Sequence, residues 1–227
     1  MRPLKVVHFS DVLCIWAYVG QTHLFRLAEK YETRLDVEVH YCSVFPDTDA
    51  KITKLWHERG GFGGYARHVR DVASRFENVN LHNDVWSKTR PLSSASPHLF
   101  LKAVELLDND DEKVAFTERL PVKAATALRS AFFTDAEDIA DWAVQRKVSQ
   151  QIGVSFADVC KKIETGEAMA KLAADYELGQ TIGVKGSPTY ILNNGRQILF
   201  GNISYGILEA NVSEALAEQN GLNASPC

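Results

Sequence analysis

Cys14 is the residue of this sequence best placed to do chemistry. It stands in Asp11-Val12-Leu13-Cys14-Ile15-Trp16-Ala17, between a short apolar run and a stretch with helical spacing. A cysteine at a helix N-terminus faces free backbone N–H groups and the positive end of the helix dipole, and both favour thiolate over thiol. A fall in pKa from about 8.5 to about 6.5 would raise the thiolate fraction at pH 7 from about 3% to about 75%, enough for a usable nucleophile. The plainer reading of an isolated cysteine is a small buried hydrophobe, and the residues alone leave both open. A second feature is Gly183-Val184-Lys185-Gly186-Ser187-Pro188-Thr189. Proline at the head of a strand cannot donate to the ladder, so it marks a strand edge, and Ser187-Pro188 is a candidate for a cis bond.

The elements that must position these residues follow from apolar periodicity. Leu4 to Phe9 reads as a buried strand running into Ser10-Asp11, residues that often precede helices. Leu24, Leu27, Ala28 and Tyr31 give one apolar face to a helix from about Cys14 to Tyr31. Leu35 to Phe45 fits a second strand, ended by Pro46-Asp47, so strand, helix and strand form a parallel unit with a right-handed crossover. The middle of the chain reads helical. Ser96-Pro97 predicts a cap followed by proline at the first helical position, with Phe100, Ala103, Val104 and Leu107 on the face behind it. Further helices fit about 122 to 134 and 137 to 150. Ser155 to Asp158 has capping-box spacing before Phe156, Val159, Cys160 and Ile163, and Met169, Leu172, Ala173 and Tyr176 repeat the pattern one helix later. Gly60-Gly61-Phe62-Gly63-Gly64 reads as a flexible loop between helices. Pro188 to Leu192, the turn Asn193-Asn194-Gly195 and Gln197 to Phe200 form a hairpin, and a last helix runs from about Ser204 to Glu218. The order is βαβ, a helical block, then αββα.

Together these features resemble the DsbA-like branch of the thioredoxin superfamily. The resemblance covers nearly the whole chain and rests on Cys14-Ile15-Trp16-Ala17 opening the first helix, followed by Tyr18-Val19-Gly20, on a helical insertion between two halves of the fold, and on the G-V-x-G-x-P-T stretch from Gly183 to Thr189. It implies an α/β thioredoxin fold with a central mixed sheet and an inserted all-helical subdomain. Residues 1–49 and 167–220 would form the thioredoxin-fold domain, 50–166 the insertion and 221–227 a C-terminal tail. In that family the proline is cis and lies against the active cysteine, and the backbone of the residue before it pairs with substrate peptide or glutathione. The resemblance therefore implies Cys14 as catalytic residue, with Ile15, Trp16, Ser187 and Pro188 around the substrate. Leu128 to Leu178 is also similar to cytoplasmic members, which include polyketide-associated DsbA-like oxidoreductases and 2-hydroxychromene-2-carboxylate isomerases. Two departures matter. The second cysteine of C-x-x-C is Ala17 here, and a methyl group cannot attack a mixed disulfide. Trp16 takes the place of the histidine of periplasmic DsbA, so a less extreme thiolate is expected.

The other candidates carry less. Cys42 falls near the end of the second strand, on the same side as Cys14, and is either a resolving thiol or a buried strand residue. Cys160 belongs to an apolar helix face, and Cys227, the last residue, reads as an exposed thiol. His57, Arg59, Tyr65, Arg67, His68 and Arg70 flank the glycine run as an anion site, a lid or simply a solvated face. Ser96 and His98 lie in a segment that lines the groove in relatives. No cysteine pair or histidine–carboxylate grouping has metal-ligand spacing, so no metal and no resident cofactor is expected.

The chain has 227 residues, 45% of them hydrophobic and 24% charged, and a net charge of -4. This is an ordinary globular composition able to bury a core without staples. It offers no basic field for nucleic acid or an anionic bilayer, and no segment approaches the roughly 20 apolar residues of a membrane span. The first residues lack the pattern of a signal peptide, which points to the cytoplasm, where the cysteines would be free thiols. The leading expectation is a thiol-disulfide oxidoreductase or isomerase with Cys14 as its single active cysteine, resolved by glutathione or another external thiol. The alternatives are a glutathione-dependent transferase or isomerase of kappa-class or chromene-carboxylate type, in which Cys14 binds the glutathione sulfur, and a non-enzymatic binding module. Gly201-Asn202-Ile203-Ser204 departs from the Ser-Asp pair that holds the γ-glutamyl end in such transferases. The expected partners are a thiol or disulfide substrate and glutathione, with a homodimer left open.

Overall fold

The computed structural model describes residues 2–77, 79–108 and 114–219. Four strands, β1 (Leu4–Ser10), β2 (Leu35–Tyr41), β3 (Thr189–Leu192) and β4 (Gln197–Phe200), form one sheet in the order β2-β1-β3-β4. β1 runs parallel to β2, with Val6 opposite Val37, and antiparallel to β3, while β3 and β4 form the hairpin. The mixed α/β thioredoxin architecture expected from the sequence is present. β1 and β3 are central and mostly buried, which is why they read as continuous apolar runs, whereas edge strand β4 alternates and leaves Ile198 and Phe200 exposed. At the hairpin, Asn193, Asn194 and Gly195 all take positive φ, the conformation their side chains best tolerate.

Helix α1 (Ile15–Tyr31) crosses from β1 to β2, and α9 (Tyr205–Gln219) closes the chain. Leu24, Leu27 and Tyr31 of α1 and Leu208, Val212 and Ala215 of α9 pack with Leu4, Val6 and Leu192 into one core. Burying a Leu or Val side chain there stabilises by roughly 1.5–3 kcal/mol. A second core belongs to the helical block: α2 (Thr48–Trp56), α3 (Gly61–Ala73), α4 (Ala95–Glu105), α5 (Leu120–Phe133), α6 (Trp142–Gln151) and α7 (Phe156–Glu164). Trp86, Phe100, Phe132 and Phe133 are its largest buried side chains, and α8 (Glu167–Ile182) returns the chain to the sheet. Val12, Leu13 and Cys14 belong to this second core, so the cysteine sits where the sheet hands over to the helices.

Local signals set several boundaries. Ser155 caps α7, its hydroxyl accepting from Asp158 N–H at 3.3 Å, as its spacing predicts. Asp47 and Asp141 cap α2 and α6 in the same way. α8 stops at Gly183, whose left-handed φ of 80° lets Val184 N–H return to Gly179 O at 2.8 Å. Three expectations fail. α4 begins at Ala95 with Ser94 as its flanking residue, so Ser96-Pro97 lies within the first turn, and Ser96 Oγ instead donates to Ala140 O. Met169 is exposed because α8 buries Ala168, Leu172, Asp175 and Gly179, a face rotated from the one its apolar residues suggest. The glycine run is not a loop: Gly60 turns the chain with φ 90° and Gly61 to Gly64 open α3. Here the requirement is close approach, since a Cβ on Gly64 would lie 1.9 Å from the carbonyl oxygen of Arg59.

Buried charge ties the block to the sheet. Lys102 of α4 is 1% exposed and pairs with Asp175 of α8 at 2.8 Å and Glu105 at 2.6 Å, while Asp175 also accepts from His40 and from Tyr41 N–H. Among the described residues no helix is long and apolar enough to cross a membrane.

The glycine packing gives a paired test. Gly64→Ala should destabilise the protein by about 2–4 kcal/mol in urea unfolding, because backbone must move. Gly63→Ala, whose Cβ would meet only the Arg67 side chain at 3.8 Å, should be neutral or stabilise by up to about 1 kcal/mol from helix propensity.

Candidate functional site

The site forms where β1 ends. Cys14 is the residue flanking α1, in extended backbone conformation, and its N–H bonds to Asp11 O at 3.1 Å in the tight turn between strand and helix. Its sulfur lies 3.2 Å from the carbonyl oxygen of Ser187, so the thiol donates to the loop before β3. The Ser187-Pro188 peptide is cis. The two motifs 173 residues apart in sequence therefore meet.

What holds them together is Asp11, wholly buried. Its backbone N–H donates to Ser187 Oγ at 2.8 Å. One carboxylate oxygen accepts from Leu13 N–H at 2.9 Å, and the other from Val44 N–H at 2.9 Å, Phe45 N–H at 3.1 Å and Ser94 Oγ at 2.8 Å. Strand β1, the segment after β2, the start of α4 and the Ser187 loop are thus joined through one residue, the first three by its carboxylate and the loop by its backbone N–H. His98, also wholly buried, accepts from Val12 N–H through Nε2 at 3.2 Å and stacks on Tyr41. An accepting Nε2 puts the ring proton on Nδ1. Burial pushes the His98 pKa down to about 4, Asp11 opposing only in part, so the ring is neutral at pH 7.

The charged thiolate expected at Cys14 is not the resting form. Cys14 is 6% exposed, and burial raises its pKa. The N–H groups of Ala17 and Trp16 act in the lowering direction, as helix-terminus logic requires, but desolvation outweighs them and the Asp11 charge adds to the rise. The Ser187 side chain also acts in the lowering direction and is likewise outweighed by burial. Ile15, expected beside the substrate, is 2% exposed and turned into the core, because the first turn of α1 buries that side. Trp16 is half-buried against the helical core, while Ser187 and Pro188 are largely covered, Ser187 at 8% exposure. Ala17 is 3% exposed.

Cys42 follows the end of β2, bonded through its N–H to Ser10 O at 3.0 Å, and burial with the nearby Asp11 carboxylate holds its thiol well above the ordinary range. Cys14, Cys42 and Cys160 are all free thiols, and Cys227 lies outside the described residues. The residues flanking the glycine run do not converge. Tyr65 is buried against Trp56 and Trp86, whereas His57, Arg59 and Arg67 are exposed. Among the described residues, no group of three or more His, Cys, Asp or Glu side chains could hold a metal ion. Sequence reading overlooked Asp11 and Ser94 as site residues. The available signal was a carboxylate directly after a buried strand, a position that solvent does not reach.

A family model for the DSBA-like thioredoxin domain matches residues 113–213, which include the Ser187-Pro188 loop and begin after Cys14. No curated protein matches the chain. Among solved structures, a Nitrosomonas europaea protein provisionally called a protein disulfide isomerase is 16% identical, with 96% of this chain and 100% of that one covered at a TM-score of 0.69. The cytosolic disulfide reductase DsbM from Pseudomonas aeruginosa, solved with GSH, is 19% identical, with 96% and 98% covered at 0.61. A 2-hydroxychromene-2-carboxylate isomerase is 14% identical, with 97% and 100% covered at 0.66. At these identities the likeness is one of fold.

The buried histidines predict acid sensitivity. Below pH 6.5 the unfolded chain binds protons that folded His98, near 4, and folded His8, driven by burial to about 3, do not, so stability must fall with pH. Urea unfolding at pH 4.5 should give about 2–3 kcal/mol less stability than at pH 7 on account of His98 alone. His98→Gln should remove roughly half of the histidine-linked decline, and an unchanged pH slope would reject that assignment.

Proposed function

We propose that Cys14, brought against a loop that lies in the segment matched by a DSBA-like thioredoxin domain, acts as the single nucleophile of a thiol-disulfide oxidoreductase that depends on an external thiol. The observation that carries this reading is the Cys14 sulfur held 3.2 Å from Ser187 O, at the N-terminus of α1 and against the Ser187-Pro188 loop. A disulfide drawn along that loop would bring a sulfur to Cys14 while its backbone pairs with the Ser187 peptide groups. Cys14 gives its thiol proton to solvent and attacks the nearer sulfur; the substrate S–S bond breaks, a Cys14 mixed disulfide forms, and the other half leaves as a thiolate that takes a proton from solvent. Ala17 offers no second thiol, so an external thiol, for which glutathione is the natural choice, attacks the mixed disulfide. This restores the Cys14 thiolate and releases a new disulfide carrying the external sulfur. The substrate is reduced and the external thiol oxidised. A reducing compartment such as the cytoplasm would supply that thiol in excess. The fold-level likeness to a disulfide reductase solved with GSH supports glutathione in this role.

A second reading draws on the raised pKa of Cys14. A thiol that stays protonated is an S–H donor, suited to steadying the thiolate of bound glutathione in a transferase or isomerase rather than attacking a disulfide.

One substitution separates the two. Cys14→Ser keeps a hydrogen-bond donor but removes the sulfur. The oxidoreductase reading expects reduction of a glutathione mixed disulfide to fall at least about 1,000-fold, a loss of about 4 kcal/mol of transition-state stabilisation. Retention of glutathione-dependent isomerase or transferase turnover in this variant would favour the second reading, and full disulfide reduction would reject the first. Alkylation of Cys14 by iodoacetamide should rise about tenfold per pH unit from pH 7 to beyond the ordinary thiol value of about 8.5, because burial raises the pKa and only the thiolate reacts. A rate already level at pH 7 would overturn the protonated resting state.

A further inference from the structure

A cavity of about 520 Å³ lies between the sheet, α1 and the α4–α5 part of the helical block. Of the segment Asp11–Ala17 only Ala17 touches it, and neither Ser187 nor Pro188 does, so it is separate from the Cys14 site. The apolar part of its wall is made by Leu24, Phe25, Val37, Val39, Phe116 and Val122, with polar and charged side chains completing the lining. A neighbouring hollow of about 620 Å³ shares Phe25, Val37, Phe116 and Arg119 with it, which extends the apolar surface.

The charge in this cavity is unbalanced. Arg129 of α5 lines it and is 6% exposed. Nη1 donates to Gln21 Oε1 at 2.7 Å and Nη2 to Ser10 Oγ, while Nε has no partner. Of five N–H donors, two are used, and both acceptors are neutral. Among the described residues no carboxylate lies within ion-pair distance of Arg129, or of Arg119 at the rim, which donates only to Val37 O at 3.4 Å. The acids on the rim are otherwise engaged: Glu38 pairs with Lys5 at 2.6 Å, and Glu105 with Lys102 and Lys171 at 2.6 and 3.2 Å. The ring of His8, stacked on Tyr190, is buried in the same wall with Nδ1 unpartnered. A buried cation is costly without an opposite charge, and a guanidinium is the side chain that fits a planar carboxylate.

We propose that this cavity binds an organic carboxylate with an apolar body, the carboxylate directed to Arg129 and Arg119 and the body along the Leu24–Phe116 wall. Its volume falls within the range of small-molecule sites. The apolar lining selects against bare inorganic anions, which would leave most of the wall uncovered. The cavity is lined separately from the Cys14 site and meets its segment only at Ala17.

Calorimetry on the full chain with octanoate, octanol and sulfate tests this directly. Octanoate should bind at least about tenfold more tightly than octanol, with sulfate weaker than both. Arg119→Gln should weaken octanoate about three- to tenfold, Arg129→Met should abolish its preference over octanol, and Cys14→Ser should leave it unchanged. Equal binding of octanoate and octanol, or no octanoate binding up to about 5 mM, would overturn the proposal. So would unchanged octanoate affinity in a folded Arg129→Met protein. Should that variant not fold, the comparison of ligands on the unsubstituted chain and the Arg119→Gln result decide the matter.

Discussion

The burial of the Asp11 carboxylate constrains everything around the candidate site. A wholly buried carboxylate must have its lone pairs filled, and here they are filled by three backbone N–H groups and the Ser94 hydroxyl, drawn from three different segments. Hydrogen bonds to a charged group contribute roughly 1.5–3 kcal/mol each, so the set is strong enough to fix the ends of β1 and β2 and the start of α4 in one arrangement. The N–H of the same residue carries Ser187 Oγ, which brings in the Ser187 loop. The meeting of Cys14 with Ser187 O follows from that anchoring.

Two opposing effects act on the cysteine, and their sizes decide its state. A helix N-terminus favours the thiolate by about 0.3–1 kcal/mol at exposed positions and up to about 2 in favourable partly buried ones. Near-complete burial shifts the balance the other way, and the Asp11 charge that organises the site adds to it. The same anchor that positions the sulfur therefore helps to keep it protonated. Chemistry at Cys14 requires the ionised form to be reached during the encounter with a disulfide, when a soft, polarisable sulfur partner replaces the Ser187 carbonyl.

The elements were legible from spacing because strands and helices are local. Leu4 to Phe9, the Asn193–Gly195 turn and the apolar faces of α1 and α9 carry their period in the chain itself. The misreadings share one cause. The glycine run looks like a loop by composition, but Gly64 is small because Arg59 O presses on that position. Ser94 rather than Ser96 faces inward because Asp11 needs a donor there. The α8 face is rotated because Asp175 must reach Lys102 and His40. In each case a contact from a distant segment outvotes the local pattern. Arg129, on the same helix α5 as Lys123, carried no legible role in the sequence and gained one only when the cavity around it was formed.

The sequence by itself determined the order of strands and helices, the presence of a helix-opening cysteine and of a proline-headed strand, and the absence of a second cysteine in the first of these motifs. Those features depend on residue type and short-range spacing. Tertiary structure alone decided the protonation of Cys14, the inward turn of Ile15, the role of Asp11 and the burial of Arg129 beside two neutral hydrogen-bond partners. Each of these depends on how much water remains near a group and on which distant partner replaces it, and solvent exclusion belongs to the assembled fold.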